Sequence, residues 1–215
     1  MKAVIFDMDG VLVDSEYTFL QSKTELLRDA GYPQDISYQY QFMGTTFEFM
    51  WQKMKEELGL PASVATYIEE MNRRREVMMA RDGIKPIQHA QDLVKRLNAA
   101  GIPLAVASSS PKKEILRALT ELGLVTDFQY LVSGEEVAHS KPAPDVFLAA
   151  AQQLGIAPAD CLVFEDTRNG SLAAKAAGMY CIGFANPDYP AQDLSAADQV
   201  VTSFKELKVV DLVEL

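Results

Sequence analysis

The sequence has few cysteines and no long apolar segment. Cys161 and Cys181 are the two cysteines among 215 residues, and both lie in apolar stretches typical of buried strands. We therefore expect packed, reduced thiols rather than a disulfide or a cysteine-bound metal. No segment reaches the roughly 18 consecutive apolar residues that a membrane-spanning helix needs. The composition thus argues against a disulfide-stabilised scaffold and against a helical membrane protein.

Cations are also in short supply. The chain has 20 lysines and arginines against 30 aspartates and glutamates, which gives a formal net charge of −10. Such a negative field disfavours general binding to nucleic acid or to an anionic membrane. A small anionic substrate remains compatible with this charge if a local cluster of cations or a metal ion offsets the field.

The N-terminal residues do not have the pattern of a secretion signal. Asp7 and Asp9 interrupt the apolar segment that would form the hydrophobic region of a signal peptide. We therefore expect a cytosolic protein, and we expect it to act as a monomer or a weak dimer.

The hydrophobic pattern divides the chain into two kinds of region. Residues 15–81 show helical periodicity with no convincing strand, which predicts a helical bundle. After residue 86, short apolar strands alternate with helices, a pattern that predicts a parallel sheet with helices on both faces. The predicted strands are 4–6, 103–107, 130–132, 161–164, 180–183 and 199–201.

Polar side chains follow the ends of several predicted strands. Asp7 and Asp9 follow the first strand, Ser108 follows the second, and Glu165 and Asp166 follow a later one. Since ligands of open parallel sheets bind beyond the carboxyl ends of the strands, we expect these side chains to converge at one edge of the sheet.

Carboxylates that converge need a counter-charge. Two carboxylates about 4 Å apart repel by roughly 4 kcal/mol at an effective dielectric constant near 20. Mg²⁺ prefers oxygen ligands and suits a site that also holds a phosphate. Lys141, in the proline-containing loop HSKPAPD, adds a cation. One acid pair after a strand is equally typical of a helix N-cap, but two pairs with a serine and a lysine favour a magnesium site.

Four short motifs, in this order along the chain, resemble those of the haloacid dehalogenase-like (HAD) phosphohydrolase superfamily. They are DMDGV at residues 7–11, Ser108 in VASSS, Lys141 in SKPAPD, and FEDTRNG at residues 164–170. The resemblance covers roughly residues 1–14 and 82–215. It implies an α/β, Rossmann-like core over those residues and a mobile, all-helical cap formed by residues 15–81.

The resemblance also implies a role for the two acids of the first motif. Asp7 would be the nucleophile that attacks phosphorus and forms an aspartyl-phosphate. Asp9 would protonate the leaving alcohol and then activate water, and its backbone carbonyl would ligate Mg²⁺. Family members that cleave carbon–halogen bonds lack an acid at this second position, so Asp9 favours phosphoryl transfer.

The remaining motifs are expected to bind the phosphate and the metal. By the resemblance, the Ser108 hydroxyl and the Ser109 backbone N–H would bind phosphoryl oxygens. Lys141 would neutralise the charge between the phosphate and Asp7. Asp166 would ligate Mg²⁺ directly, and Glu165 would do so directly or through water.

The sub-family with the most similar motifs is the β-phosphoglucomutase-like group. Its mutases share a histidine after the first linker and a cap-loop arginine that binds a second phosphate. Here residues 14–19 contain no histidine, and residues 42–47 contain no arginine. We therefore favour a phosphatase that hydrolyses a small phosphorylated metabolite, specifically a sugar phosphate, and keep a phosphohexomutase as the alternative.

Two features of the predicted cap have two interpretations each. Thr45 and Thr46, at a glycine turn before a helix, are candidate substrate contacts or N-caps of that helix. The basic run 73–75 is either a solvated helix face, paired with nearby glutamates, or the source of a cation for a distal anionic group.

A non-enzymatic phospho-receiver domain is the competing class. It would also carry strand-end acids, Mg²⁺, a hydroxyl residue and a lysine. The helical insert and Asp9, which would hydrolyse the phospho-adduct, argue against it.

Overall fold

The chain folds into two compact units. In this computed structural model, residues 1–43 and 45–215 are described. One unit, the core unit, consists of Met1–Asp14 and Ile84–Leu215, and the other, the helical unit, consists of Ser15–Gly83. The helical unit contains the whole segment 15–81 in which the sequence predicts helices alone.

The α-helices of the described residues follow the predicted pattern closely. They are α1 (Glu16–Asp29), α2 (Phe47–Leu58), α3 (Val64–Asp82), α4 (Ala90–Ala99), α5 (Lys112–Glu121), α6 (Asp145–Leu154), α7 (Arg168–Ala176) and α8 (Val209–Val213). The sequence pattern did not predict α8, which has five residues and is too short to show a helical period. A 3₁₀ helix at Ile36–Phe42 was also not predicted.

A parallel sheet forms the centre of the core unit. Its strands are β1 (Ala3–Phe6), β2 (Leu104–Ser108), β3 (Tyr130–Ser133), β4 (Cys161–Glu165), β5 (Tyr180–Phe184) and β6 (Gln199–Val201), in the order β3-β2-β1-β4-β5-β6. Every neighbouring pair is parallel. The predicted sheet is confirmed, with strand ends within one residue of those expected. The order reverses at β1, so a crevice is expected beyond the carboxyl ends of β1 and β4.

Both faces of the sheet are covered by helices. Along β1, Ala3 and Ile5 belong to one buried cluster, which α6 and α7 complete. Val4 and Phe6 belong to a second cluster, completed by α4 and α5. This alternation is that of a strand buried on both faces, which is why β1 is apolar throughout.

Both cysteines are buried and free. Burial raises the pKa of Cys161 to about 11 and that of Cys181 to about 12. The prediction of packed, reduced thiols is confirmed, and the raised pKa values make these thiols poor nucleophiles at neutral pH. Among the described residues, no helix combines the length and the apolar character that crossing a lipid bilayer requires.

Two helices of the helical unit have well-defined ends. The Ser63 hydroxyl accepts a hydrogen bond from the Thr66 N–H at 3.1 Å and caps α3. Gly59 ends α2 with a φ of 67°, a left-handed conformation that favours glycine. The unit has its own core, in which fully buried Trp51 stacks on Tyr67 with ring centroids 5.0 Å apart.

One lysine of the helical unit is buried, and among the described residues its ammonium has only a weak hydrogen-bond acceptor. Lys23, in α1, is 4% exposed, and its ammonium lies 3.3 Å from the Met50 thioether sulfur, a weak acceptor. Burial lowers the pKa of Lys23 to about 8, while Glu16 opposes this shift and Arg75 adds to it. Below that pH the unit therefore holds a poorly compensated charge, which destabilises it.

Replacing this lysine is expected to stabilise the protein. The folded-state pKa of Lys23 lies below its ordinary value of 10.5, so the penalty is fully present below about pH 8 and decreases as pH rises towards 10.5. We expect Lys23→Met to be more stable than wild type at pH 7, with a difference that narrows by pH 10. Urea unfolding at both pH values measures this. Lys53→Met, at an exposed position of α2, is the control and should change stability little; a destabilised Lys23→Met would contradict the prediction.

Candidate active site

Asp7 lies directly after the central strand of the sheet. β1 pairs with β2 on one side and with β4 on the other. The Asp7 N–H donates to the Phe164 carbonyl of β4 at 2.9 Å, which extends the strand pairing to this residue. Asp7 is 6% exposed, so its carboxylate is held at the carboxyl edge in a nearly dry position.

Lys141 joins the ends of three strands. Its ammonium donates to Asp7 Oδ1 at 2.6 Å, to Glu165 Oε1 at 2.7 Å and to the Ala107 carbonyl at 3.1 Å. The Lys141 side chain is 7% exposed, and its ammonium lies 4.7 Å from the centroid of the Phe147 ring. The three protons of the ammonium thus have three acceptors, on or next to β1, β2 and β4.

Glu165 is held by the turn that follows β4. Its second oxygen, Oε2, accepts hydrogen bonds from the Asp166 N–H at 2.9 Å, the Thr167 N–H at 2.9 Å and the Thr167 hydroxyl at 3.0 Å. A Cβ at Gly170 would lie 1.7 Å from Glu165 Oε1, so only glycine leaves room for this carboxylate. The Thr167 hydroxyl also accepts from the Gly170 N–H at 3.1 Å and caps α7. Sequence reasoning missed Thr167, although a threonine just before a predicted helix is an N-cap signal.

The charges of this cluster change one another's protonation. Burial raises the pKa of Asp7 to about 7; Lys141 opposes that shift, and Glu165 and Asp9 add to it. Burial alone would lower the pKa of Lys141, but Asp7 and Glu165 raise it above its ordinary value. The lysine is therefore charged at neutral pH, whereas Asp7 needs further positive charge nearby to stay fully ionised.

Three carboxylates meet at this edge of the sheet. Asp7, Glu165 and Asp166 each offer an oxygen within 4.8 Å of the others. Carboxylate oxygens at this spacing are the donor set that a hard divalent cation such as Mg²⁺ prefers. The residues therefore fit the expected metal ion.

Gly10 lines the space around Asp166. Its φ is 76°, and a Cβ built there would lie 1.9 Å from Asp166 Oδ2. A side chain at residue 10 would thus displace the carboxylate, and the left-handed backbone favours glycine independently. The glycine of the DMDGV motif is required both by the turn and by the neighbouring acid.

Asp9 lies outside this group of three carboxylates. Its Oδ2 accepts a hydrogen bond from the Ser110 hydroxyl at 2.6 Å. Ser108 is 1% exposed, and its hydroxyl accepts a hydrogen bond from the Ser110 N–H at 3.1 Å. Its neighbour Ser109 is exposed. Sequence reasoning missed Ser110; the available signal was its place in a run of three serines after a strand that ends beside the motif acids.

Thr45 and Thr46 both make local hydrogen bonds within the helical unit. The Thr46 hydroxyl accepts from the Phe49 N–H at 3.3 Å and caps α2, as one of the two interpretations expected. The Thr45 hydroxyl donates to the Phe42 carbonyl at 2.7 Å. Their alternative role as substrate contacts stays a prediction.

The arginines of the basic run have partners in the same unit. Arg73 and Arg74 both donate to Glu70, at 2.7 and 2.8 Å, and Arg74 also pairs with Asp29 at 2.6 Å. The Arg75 guanidinium lies 3.2 Å from the centroid of the Phe19 ring. The pairing of Arg73 and Arg74 with Glu70 agrees with the interpretation of a helix face paired with nearby glutamates.

Comparisons with known proteins agree with the geometry of the core unit. The family model described as haloacid dehalogenase-like hydrolase matches residues 4–184. The validoxylamine A 7'-phosphate phosphatase of Streptomyces hygroscopicus subsp. limoneus is 31% identical over 96% of both chains. The β-phosphoglucomutase of Bacillus subtilis is 32% identical over 96% of this chain and 92% of its own.

A solved structure matches the whole chain. A HAD family hydrolase of Deinococcus radiodurans, crystallised with bound phosphate and sodium, superposes with a TM-score of 0.86 at 32% identity and covers 100% of this chain and 96% of its own. The predicted fold class and superfamily are confirmed. The protein belongs to the haloacid dehalogenase-like hydrolase family.

Proposed function

We propose that this protein is a Mg²⁺-dependent phosphatase that hydrolyses a small phosphorylated metabolite, specifically a sugar phosphate. The observation that carries the proposal is the buried Lys141 ammonium between Asp7 and Glu165, with Asp166 beside them. A buried, charge-paired carboxylate at the edge of a parallel sheet suits nucleophilic attack on phosphorus. The family membership and the relatives' names, which refer to phosphorylated small molecules, support the same reaction.

In the proposed reaction, Asp7 and Asp9 act in each of two half-reactions. An Asp7 carboxylate oxygen forms a bond to phosphorus while the bond from phosphorus to the alcohol oxygen breaks, and Asp9 gives its proton to that oxygen. Water then attacks the phosphorus of the aspartyl-phosphate while Asp9 takes a proton from that water, and the bond between phosphorus and the Asp7 oxygen breaks. The Asp7 carboxylate is restored, and inorganic phosphate leaves.

The other core residues bind the phosphoryl group. The Lys141 ammonium, the Ser108 hydroxyl and the Ser109 N–H provide positive charge and donors for its oxygens. Asp7, Asp166 and the Asp9 carbonyl would hold Mg²⁺, with Glu165 acting through water because both its oxygens already accept hydrogen bonds. When bound, the ion supplies charge that stabilises the negative oxygens of the transferring group.

The cations of the helical unit favour a phosphatase over a mutase. A mutase must bind a bisphosphate, which requires a second set of cations. Arg73 and Arg74 are paired with Glu70, and Lys53 with Glu56. Lys55 donates to two backbone carbonyls, at 2.7 Å each. These four cations are engaged within the unit, which supports a phosphatase over a mutase.

Loss of the nucleophile tests the proposal directly. Asp7→Asn keeps the shape of the side chain and removes its nucleophilicity, so phosphate release should fall at least about 1,000-fold while the urea midpoint changes little. Release would be measured with Mg²⁺, and after chelation, from sugar phosphates, nucleotides, small phosphorylated acids and p-nitrophenyl phosphate.

The matched control for this test is Asp160→Asn. Asp160 immediately precedes β4, at the opposite edge of the sheet, and pairs with Lys2 at 2.9 Å. It should retain wild-type turnover. Stoichiometric labelling of wild type with no steady release of phosphate would contradict the enzyme and support a phospho-receiver.

The close approach of Gly10 to Asp166 gives a second test. Gly10→Ala should displace Asp166 and raise the Mg²⁺ concentration for half-maximal activity at least about tenfold. Gly178→Ala is the control, because Gly178 has the same φ of 76° and nothing within 4 Å of its Cβ. In both variants the free energy of unfolding should fall by about 1 kcal/mol or more, because alanine is strained in a left-handed conformation. An equal Mg²⁺ dependence in the two variants would argue against a metal site at Asp166.

The mutase alternative has its own assay. The wild-type protein is incubated with β-glucose 1-phosphate, Mg²⁺ and a trace of the 1,6-bisphosphate, and both glucose 6-phosphate and inorganic phosphate are followed. We expect slow or no isomerisation relative to hydrolysis of the best substrate. Isomerisation faster than any hydrolysis would establish the mutase instead.

A further inference from the structure

Ser110 connects the proposed proton donor to the neighbouring strands. Its hydroxyl donates to Asp9 Oδ2 at 2.6 Å, a short hydrogen bond to a carboxylate. Within the part of the chain that the structure describes, no other side chain hydrogen-bonds this carboxylate. The bond joins the loop after β1 to the loop after β2.

The main chain of Ser110 is fixed at both of its polar groups. Its N–H donates to the Ser108 hydroxyl at 3.1 Å, and its carbonyl accepts from the Ser133 hydroxyl at 2.7 Å. Ser108 and Ser133 pair across β2 and β3 and are 1% and 0% exposed. The Ser110 hydroxyl is therefore presented from a backbone that two buried serines hold in place.

Ser133 is itself held by the turn that follows β3. Its N–H donates to Glu136 Oε2 at 2.8 Å, and its hydroxyl accepts from the Glu135 N–H at 3.1 Å. The next residue, Gly134, approaches the preceding loop so closely that a Cβ there would lie 3.1 Å from the Ser109 carbonyl oxygen. Such a network allows little freedom to the donor at residue 110.

We propose that Ser110 is a positioning residue for proton transfer by Asp9. Its hydroxyl holds Oδ2 of the Asp9 carboxyl, so that Oδ1 carries the proton towards the oxygen of the leaving alcohol. As the phosphorus–oxygen bond breaks, the proton passes from Asp9 to that oxygen, and Ser110 keeps its own proton. This inference rests on the proposed function, in which Asp9 is the acid.

The proposal has a consequence that depends on the leaving group. An alkyl alcohol leaves poorly as an anion and needs the proton, whereas p-nitrophenolate leaves as a stable anion. The ratio kcat/KM reports on the steps up to release of the alcohol, so it isolates this first proton transfer. Loss of a positioning residue should therefore slow alkyl phosphates selectively.

The experiment compares Ser110→Ala, Ser110→Thr and wild type on two substrates. These are p-nitrophenyl phosphate and the sugar phosphate that wild type hydrolyses fastest. For Ser110→Ala we expect kcat/KM to fall about tenfold on the sugar phosphate, a part of the 10²–10⁴-fold that general acid catalysis provides, and less than about twofold on the aryl ester. Ser110→Thr keeps the hydroxyl and should recover most of the loss.

The control is Ser203→Ala. Ser203 is an exposed serine whose hydroxyl accepts a hydrogen bond from the Lys205 N–H at 3.1 Å. Loss of this hydroxyl should leave kcat/KM unchanged on both substrates. Equal losses on the two substrates, or no loss on either, would overturn the positioning role while the phosphatase assignment stands. Absence of Mg²⁺-dependent release by wild type from every phosphate ester would instead overturn the proposed function.

Discussion

The structure of the site depends on one ammonium group shared by two buried acids. Lys141 donates to Asp7, to Glu165 and to the Ala107 carbonyl, so each proton of the ammonium has an acceptor. Removing the Lys141 ammonium would leave two buried carboxylates without their counter-charge, at a cost of several kcal/mol. A compact, tetrahedral ammonium suits three acceptors that come from different strands, whereas the planar guanidinium of arginine does not.

This arrangement is possible because the backbone leaves room around the acids. Gly170 and Gly10 are positions where a Cβ would overlap the Glu165 and Asp166 carboxylates. The parallel sheet brings the ends of β1, β2 and β4 to one edge. Gly10, in the turn after β1, and Gly170, in the first turn of α7, leave space that the carboxylates occupy. The sheet therefore brings the acids together, and the two glycines leave room for their carboxylates.

The sequence predicted what depends on period and motif, and missed what depends on packing across loops. The sheet, its strand ends and the group around Asp7 could be predicted because apolar strands followed by acids have a simple pattern. The helix α8 has five residues, which is too short for a helical periodicity to be detected in the sequence. Ser110 acts through a contact 101 residues away, and Lys23 is buried by helices whose packing no local pattern describes. The cytosolic location and the monomeric or weakly dimeric state stay predictions.

Charge balance explains why the proposed ion is divalent. When ionised, Asp7, Glu165 and Asp166 carry three negative charges, and Lys141 carries one positive charge, which leaves −3 + 1 = −2 at a buried edge. A monovalent cation would leave one uncompensated negative charge there. Burial raises the pKa of Asp7 to about 7, so without enough positive charge nearby Asp7 would take up a proton. Protonation would remove the nucleophile that the proposed reaction needs. A doubly charged ion bound by oxygen therefore offsets both excess charges and keeps Asp7 reactive. A proton on Asp7 would remove the nucleophile, and a second lysine would supply only one positive charge.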